Sequence, residues 1–198
     1  MTDPLRGRAA PAGSTGDEGM GMPVPERLAL DGLILRRALV ADATALFEAY
    51  AGDPEATRWL AIPTVPAVEH TQEFLVQCQR DWDAGESFVF AMTVAGSDRP
   101  FGAIDLRIEG FQANYGYALA RSHWGRGFAS TALKALVDLA LVQPGVWRAW
   151  AFCDAGNPAS GRVMEKAGMS FEGRLRRWHV APNVSDEPRD CLVYAKVR

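Results

Sequence analysis

A short segment with two glycines offers the clearest chemistry in this sequence. It lies between a predicted strand and a predicted amphipathic helix and reads Trp124-Gly125-Arg126-Gly127-Phe128-Ala129-Ser130-Thr131. The glycines allow a tight turn and let a ligand approach the backbone closely. The first turn of a helix carries N–H groups without intrahelical partners and a partial positive charge. The pattern predicts an anion site suited to a pyrophosphate, to which Ser130 and Thr131 can add hydroxyl donors and Arg126 a charge.

Two known phosphate-binding patterns compete with this interpretation. The Walker pattern G-x-x-x-x-G-K-[ST] does not occur, whereas the dinucleotide-binding pattern G-x-G-x-x-G is nearly met, with Ser130 at its third glycine. Asp154 follows the next strand, as a ribose-binding acid would. The antiparallel strands predicted before the turn do not fit a βαβ unit, so a dinucleotide-binding oxidoreductase is the less favoured alternative. The simplest alternative is a glycine loop that only starts a helix.

Composition restricts the possible classes of protein. The chain has 198 residues, of which 48% are hydrophobic, enough for one domain with a single core. A formal net charge of -3 gives no general attraction to nucleic acid or to an anionic membrane. Three cysteines without metal-ligand spacing predict neither a disulfide framework nor a metal site. We expect a cytoplasmic protein, a monomer or homodimer, with no nucleic-acid or membrane partner.

The chain divides into a tail and a domain. Residues 1–25 are rich in Gly, Pro, Ala, Ser and Thr, which predicts a flexible N-terminal tail. Residues 26–198 are predicted to form the folded domain. Hydrophobic periodicity predicts the element order β-α-α-β-β-β-α-β-α-β-β, an α/β domain on a mixed sheet. The predicted strands span 33–37, 87–94, 101–108, 115–119, 146–152, 169–180 and 191–197, and the longer helices span 67–84, 127–142 and 157–167.

A second motif follows the glycine turn by about thirty residues and identifies a family. Trp124 to Ala129 resembles the pattern [Q/R]-x-x-G-x-[G/A] of the GNAT acetyltransferases, with Trp124 where Gln or Arg is commonest. Asn157-x-x-Ser160 and Lys166-Ala167-Gly168-Met169 resemble the N-x-x-[A/S] helix and K-x-G-F ending of the same superfamily. The run from Phe171 to Arg176 looks like the F-E-G-x-x-R strand of the subgroup that acetylates ribosomal-protein N-termini.

The resemblance implies a GNAT-like fold and an acetyl-CoA site. A mixed, mostly antiparallel sheet with flanking helices would splay into a V between the strand at 115–119 and the strand from Val146. Acetyl-CoA would enter the V as co-substrate, with its pyrophosphate on the amides of 125–130 and its pantetheine along 115–119. The amide of Ala118 or Leu119 would polarise the thioester carbonyl. Asn157 would bond the pantetheine or a nearby backbone group, although a plain helix N-cap is an alternative role.

The resemblance also implies a proton donor. Many GNAT enzymes use a Tyr seven residues after the motif Asn, and that position is Met164 here, which cannot donate a proton. The resembled subgroup has Ser at the position of Ser160, so Ser160 is the expected donor to the CoA thiolate, with Tyr194 as a weaker candidate. Cys153 matches a Cys of the N-terminal acetylating relatives. It would contact the acetyl site, take the acetyl group covalently, or simply pack as a buried apolar residue.

The general base and the acceptor are less well defined. His179 is the first candidate base because its ordinary pKa lies near neutrality, and Asp105 and Glu109 are alternatives. His70 and His123 are predicted to be surface residues. Trp59, Trp178 and the arginines at 174, 176 and 177 could wall a cleft for an acceptor carrying carboxylates. The polar loop 182–188 is either a lid or a connection.

Two further functions remain open at this point. The expected activity is transfer of acetyl from acetyl-CoA, by direct attack, to a primary amine on a protein N-terminus or a small molecule. Met164 in place of Tyr leaves a non-catalytic acyl-CoA sensor as an alternative. The near match to G-x-G-x-x-G leaves the oxidoreductase as a second.

Overall fold

The protein is described by a computed structural model for residues 24–198. Most of the predicted tail, residues 1–23, lies outside the described residues. Among residues 24–198, no helix has both the length and the apolar character needed to cross a membrane. The same part of the chain holds no cluster of His, Cys, Asp or Glu that could bind a metal ion.

Eight strands form one mixed sheet, as the resemblance predicts. Their spatial order is β1-β2-β3-β4-β5-β6-β8-β7, and every neighbouring pair is antiparallel except β5 and β6. The strands are β1 Arg27–Ala29, β2 Leu33–Arg37, β3 Ser87–Val94, β4 Gly102–Glu109, β5 Gln112–Leu119, β6 Arg148–Asp154, β7 Ser170–His179 and β8 Arg189–Val197. The short edge strand β1 is absent from the sequence prediction.

Helices cover both faces of the sheet. They are α1 Ala43–Leu46, α2 Pro54–Thr57, α3 Val68–Asp83, α4 Phe128–Leu141 and α5 Pro158–Lys166. Alternate strand residues point to opposite faces, so the sheet builds two cores. On one face α4 buries Leu133, Leu136 and Val137 completely, and on the other α3 buries Leu75. The predicted first helix is broken, since a turn of π-helix at Phe47–Ala51 follows α1.

The sheet splits between β5 and β6. The two strands pair in parallel only from Gln112 to Asn114, opposite Arg148 to Trp150. Further along, β5 continues on β4 and β6 continues on β8. The facing edges of 115–119 and 151–154 are therefore no longer paired with each other within the described chain. This confirms the predicted V, and it leaves backbone groups that a strand-like ligand can pair with.

Candidate active site

A continuous cavity of about 1450 Å³ passes through the split. It is larger than the roughly 300–1,000 Å³ typical of a pocket for one small ligand, so it has room for two substrates. Its lining comes from the glycine turn, α2 and the loop after it, the end of β4, β5, β6, α5 and the end of β7. The cavity therefore brings together most of the residues that the sequence singled out.

The glycine turn forms one end of this cavity. Gly125 and Gly127 have φ values of 73° and 83°, a left-handed conformation that favours glycine. Gly127 is the N-cap of α4, and the Thr131 N–H donates to its carbonyl at 2.9 Å. Within residues 24–198, no backbone carbonyl accepts from the amides of 125–130. The turn thus presents a row of free donors at a helix N-terminus, which is the geometry of an anion site.

The side chains of the turn differ in how far they take part in the cavity lining. Trp124, Phe128, Ala129 and Ser130 line the cavity together with both glycines. The Ser130 hydroxyl donates to the Gly127 carbonyl at 2.8 Å and so supports the turn itself. Arg126 is exposed, is not among the lining residues, and lies over the Phe128 ring at 4.9 Å. The donors at this end of the cavity are therefore mainly backbone amides.

The strand amide predicted to polarise the carbonyl can be chosen from the β5 ladder. The Ala120 N–H donates to Phe101 on the β4 side at 2.8 Å. Amides alternate between the two edges of a strand, so the Ala118 amide also faces β4 and the Leu119 amide faces the split. Ala118 and Leu119 both line the cavity, but the position of the Leu119 amide fits the role. The Trp124 indole N–H donates to the Leu119 carbonyl at 3.0 Å and holds this end of β5.

A pair of hydroxyl groups lines the cavity between β5 and α5. Asn157 caps α5, and its side-chain oxygen accepts from the Ser160 amide at 3.2 Å. The Ser160 hydroxyl is 2.6 Å from the hydroxyl of Tyr117, which projects from β5 across the split. Burial raises the pKa of Tyr117, so its phenol stays protonated at neutral pH. Ser160 therefore has a proton source behind it.

Cys153 lies beside this pair on β6. Burial raises the pKa of its thiol to about 11, although hydrogen bonds with Ser160 and the Gly161 amide act in the opposite direction. At pH 7 only about one thiol in 10⁴ would be ionised, and the thiolate is the nucleophilic form. The environment of Cys153 thus suits a buried packing residue better than a covalent carrier of acetyl.

Replacing Cys153 with alanine should keep the acetyl-transfer rate within about threefold of wild type. The thiol is protonated, so its loss removes packing rather than a nucleophile. Cys191→Ala is the matched control, because Cys191 is also buried in the sheet but does not line the cavity. Steady-state turnover of the two variants checks this. Loss of turnover in Cys153→Ala alone would place the sulfur in the reaction.

His179 occupies the last position of β7. It is half-buried, lines the cavity, and packs edge-on against Phe152 with ring centroids 5.2 Å apart. Burial lowers the pKa of His179, and the nearby Asp154 partly opposes this shift. The imidazole is therefore neutral at physiological pH and able to accept a proton.

The other candidate acids and bases are placed less favourably. Asp105 is ion-paired with Arg107 and also accepts from the Gly116 amide, and it is not among the cavity-lining residues. Glu109 lines the cavity and is exposed. The Tyr194 hydroxyl donates to Glu165 at 3.3 Å, and Tyr194 does not line the cavity. His179 therefore stays the first candidate base, because it lines the cavity and burial lowers its pKa.

The acceptor wall differs from the sequence prediction. Trp59 and Trp178 line the cavity, but the three neighbouring arginines do not. Arg174 is paired with Asp190 at 2.9 Å and Arg177 with Glu187 at 2.9 Å, while Arg176 is exposed. A bulge in β7 explains why the arginines point away from the cavity. The register of β7 against β8 shifts between Leu175 and His179, and Arg177 has a φ of 45°. The prediction that these arginines wall the acceptor cleft is wrong.

The loop 182–188 is a structural connection to a distant part of the chain. The Asn183 amide donates to the carbonyls of Thr57 and Ile62 at 2.8 and 2.9 Å, and its oxygen accepts from the Thr64 amide at 2.9 Å. These bonds fasten the loop after α2, which carries Trp59, to the loop after β7. The two sides of the acceptor wall are therefore held together by one side chain.

The sequence patterns did not single out three residues that line or support the cavity. Tyr117 and Asn183 act through partners more than 40 residues away, which no local pattern encodes. His123 was predicted to be a surface residue, and this was wrong. It is half-buried, lines the cavity, and stacks on Phe101 with centroids 4.1 Å apart. Only the position of His123 directly before the glycine turn could have indicated from the sequence that it lines the cavity.

Comparison with known proteins agrees with this geometry. The sequence profile of the family described as "Acetyltransferase (GNAT) domain" matches residues 32–170. The chain is 29% identical to p20, an uncharacterised N-acetyltransferase of Bacillus licheniformis, over 160 residues that cover 79% of this chain and 89% of p20.

Two solved structures show the same fold. RimL, a ribosomal L7/L12 alpha-N-protein acetyltransferase in complex with coenzyme A, superposes with a TM-score of 0.78 at 21% identity, covering 87% of this chain and 98% of RimL. The microcin C7 self-immunity acetyltransferase MccE, in complex with acetyl-CoA and AMP, gives a TM-score of 0.78 at 18% identity, covering 91% and 100%. With the split sheet and the glycine turn, these matches lead to one conclusion: this chain belongs to the GNAT family and is an acetyltransferase.

Proposed function

We propose that this enzyme transfers the acetyl group of acetyl-CoA directly to a primary amine held on the far side of the split sheet. The observation that carries the proposal is the row of free amides at the N-terminus of α4, which opens into a cavity large enough for both substrates. The RimL and MccE structures, which hold coenzyme A and acetyl-CoA, support acetyl-CoA as the donor.

The described residues fit this donor along its length. The amides of 125–130 suit the pyrophosphate, because a helix N-terminus offers N–H donors and partial positive charge. The edge of 115–119 that faces the split suits the amide-rich pantetheine. Arg162 and Lys166 of α5 also line the cavity and add positive charge to the surface that would receive this anionic donor. This support does not depend on Arg126, which is outside the cavity lining.

The acetyl group would lie between β5 and the start of α5. The Leu119 amide would stabilise negative charge on the thioester oxygen. The amine nitrogen attacks the carbonyl carbon, a C–N bond forms, and the C–S bond then breaks. The departing thiolate takes a proton from the Ser160 hydroxyl, Tyr117 returns a proton to Ser160, and solvent returns one to Tyr117. His179, or a water held by it, accepts the proton that the amine loses.

The pH dependence of turnover tests the role of His179. Burial lowers the pKa of His179 in the folded enzyme, so the ring stays neutral down to a pH below its ordinary value of about 6.5. We expect kcat/KM to fall as the pH drops through this lowered pKa. His179→Gln should reduce kcat/KM by about 10- to 100-fold and should lose this acidic limb.

His123→Gln is the matched control for that measurement. His123 also lines the cavity and burial also lowers its pKa, but it lies against Phe101 at the glycine-turn end. The pH profile of His123→Gln should keep the acidic limb. An unchanged limb in His179→Gln would assign the proton acceptor to another group.

Release of CoA with a panel of amines and peptides tests the function as a whole. We expect acetyl-CoA to raise the melting temperature and at least one amine to stimulate CoA release. Stabilisation by NAD but not by acetyl-CoA would favour the oxidoreductase. Stabilisation by acetyl-CoA without CoA release across the panel would favour the non-catalytic sensor.

A further inference from the structure

The two faces of β6 separate the donor from the acceptor. Side chains alternate along a strand, so Cys153 faces α5 and Ser160, whereas Trp150 and Phe152 face the opposite side of the sheet. The cavity reaches both faces because it passes through the split. The donor approaches Ser160 from the side of α4 and α5. The acceptor therefore meets the face that carries Trp150 and Phe152.

This acceptor face is a wall of aromatic rings. Trp150 and Phe152 lie nearly parallel, with centroids 6.3 Å apart and an interplanar angle of 25°. His179 continues the wall from Phe152, and Trp178 lines the cavity beside it. Such a surface binds flat apolar groups well, because aromatic side chains offer both apolar area and favourable ring geometry.

Trp59 also lines the cavity, and its neighbours hold it in place. Its ring packs so closely on Gly156 that a Cβ there would come within 2.9 Å of it. The guanidinium of Arg189 lies 5.6 Å from the Trp59 ring, and Asp154 fixes Arg189 through an ion pair at 2.5 Å. The part of the cavity lined by Trp59, Trp150 and Phe152, called the slot below, therefore has its Trp59 fixed by close packing and by a paired arginine.

The charged residues of the cavity lining offer little to an anionic acceptor. Arg162 and Lys166 belong to α5 on the donor side, Glu109 is an exposed acid of the lining, and Glu55 is ion-paired with Arg58 at 3.7 Å. Arg107 also lines the cavity, but its guanidinium is bound to Asp105, and Arg189 is bound to Asp154. The arginines of β7 lie outside the cavity lining. A carboxylate on the acceptor would therefore enter a slot whose nearby cations already have anionic partners.

We propose that the acceptor is a compact amine joined to a flat aromatic body, with no carboxylate beside the amine. This assignment rests on the proposed function and names its substrate class. The ring lies in the slot, against Trp150 and Phe152. The ammonium group is drawn to the ring faces and to the acidic side chains of the lining, and it loses one proton to solvent. The neutral nitrogen then forms the C–N bond and passes its second proton to His179 as the C–S bond breaks.

A set of three amines tests the charge and the ring separately. The probes are 2-phenylethylamine, phenylalanine, which adds a carboxylate, and n-butylamine, which lacks the ring. We expect kcat/KM for 2-phenylethylamine to exceed that for each of the others by at least about tenfold. Equal or faster acetylation of phenylalanine, of n-butylamine, or of a peptide beginning with alanine or serine would overturn the assignment.

Two tryptophan variants test whether the aromatic amine binds at the cavity wall. Trp178→Ala should raise KM for 2-phenylethylamine at least about fivefold and leave KM for acetyl-CoA unchanged. Trp147→Ala is the control, because Trp147 is similarly exposed, stacks with Arg198 and does not line the cavity. An equal effect of both variants, or none from Trp178→Ala, would contradict the slot.

Measuring acetyl-CoA binding distinguishes a wrong acceptor assignment from a wrong proposed function. If acetyl-CoA raises the melting temperature and other amines are acetylated, but 2-phenylethylamine is not, only the acceptor assignment is wrong. If acetyl-CoA neither binds nor is consumed, the proposed function is wrong as well.

Discussion

Replacing Gly127 with valine is expected to weaken acetyl-CoA binding by about 10- to 100-fold. Gly127 has a φ of 83°, which a β-branched residue adopts only with strain of about 1–3 kcal/mol. The turn relieves that strain by changing its backbone angles, and this moves the amides of 125–130. Since about 1.4 kcal/mol corresponds to a tenfold change in affinity, modest displacement produces a large loss. Calorimetric titration with acetyl-CoA measures it directly.

Gly145→Val is a closely matched control for that experiment. Gly145 also has a φ of 83°, and a Cβ added to either glycine would meet no atom within 4 Å. It lies in the connection between α4 and β6 and does not line the cavity. The two variants should lose similar stability, but only Gly127→Val should lose affinity. Equal affinities would mean that the pyrophosphate does not bind to these amides.

Replacing Ser160 with alanine is expected to lower kcat by about 100-fold while KM for acetyl-CoA stays nearly constant. A positioned general acid contributes roughly 10²–10⁴-fold, and the Ser160 hydroxyl is the donor assigned to the thiolate. The α5 N-cap survives, because Asn157 accepts from the Ser160 backbone amide and not from its side chain. Ser170→Ala, at an exposed position on β7, is the control.

Tyr117→Phe tests whether Tyr117 and Ser160 pass a proton in series or whether Ser160 donates alone. The change removes only the hydroxyl that lies 2.6 Å from Ser160, and we expect kcat to fall by about tenfold. If the two groups act in series, the double variant should be no slower than Ser160→Ala alone, because effects within one unit are not additive. Multiplicative losses would show that the two hydroxyls act independently.

Local patterns predicted the elements that hold the site. The two glycines and the following apolar period placed the turn and α4, and the Asn157-Pro158 pair placed the start of α5. Caps and periodicity depend on neighbours in sequence, so they are readable without a structure. The split itself was expected only from the resemblance. Local sequence patterns do not show how two strands about 30 residues apart pair.

Contacts between distant residues could not be predicted in the same way. Arg174 and Arg177 adjoin Trp178 in sequence, yet the bulge in β7 leaves both arginines paired with acids outside the cavity lining. Asp105 was a reasonable base by type, but besides its ion pair with Arg107 it accepts from the Gly116 amide on the neighbouring strand β5. In both cases ion pairs formed in the folded chain decided the outcome.

A crystal structure with acetyl-CoA bound is the decisive measurement for the donor site. We expect pyrophosphate oxygens within hydrogen-bonding distance of several amides of 125–130, with the thioester between Leu119 and Ser160. A cofactor bound elsewhere, with this turn making no contact to it, would contradict the assignment of the donor site and of the groups that depend on it.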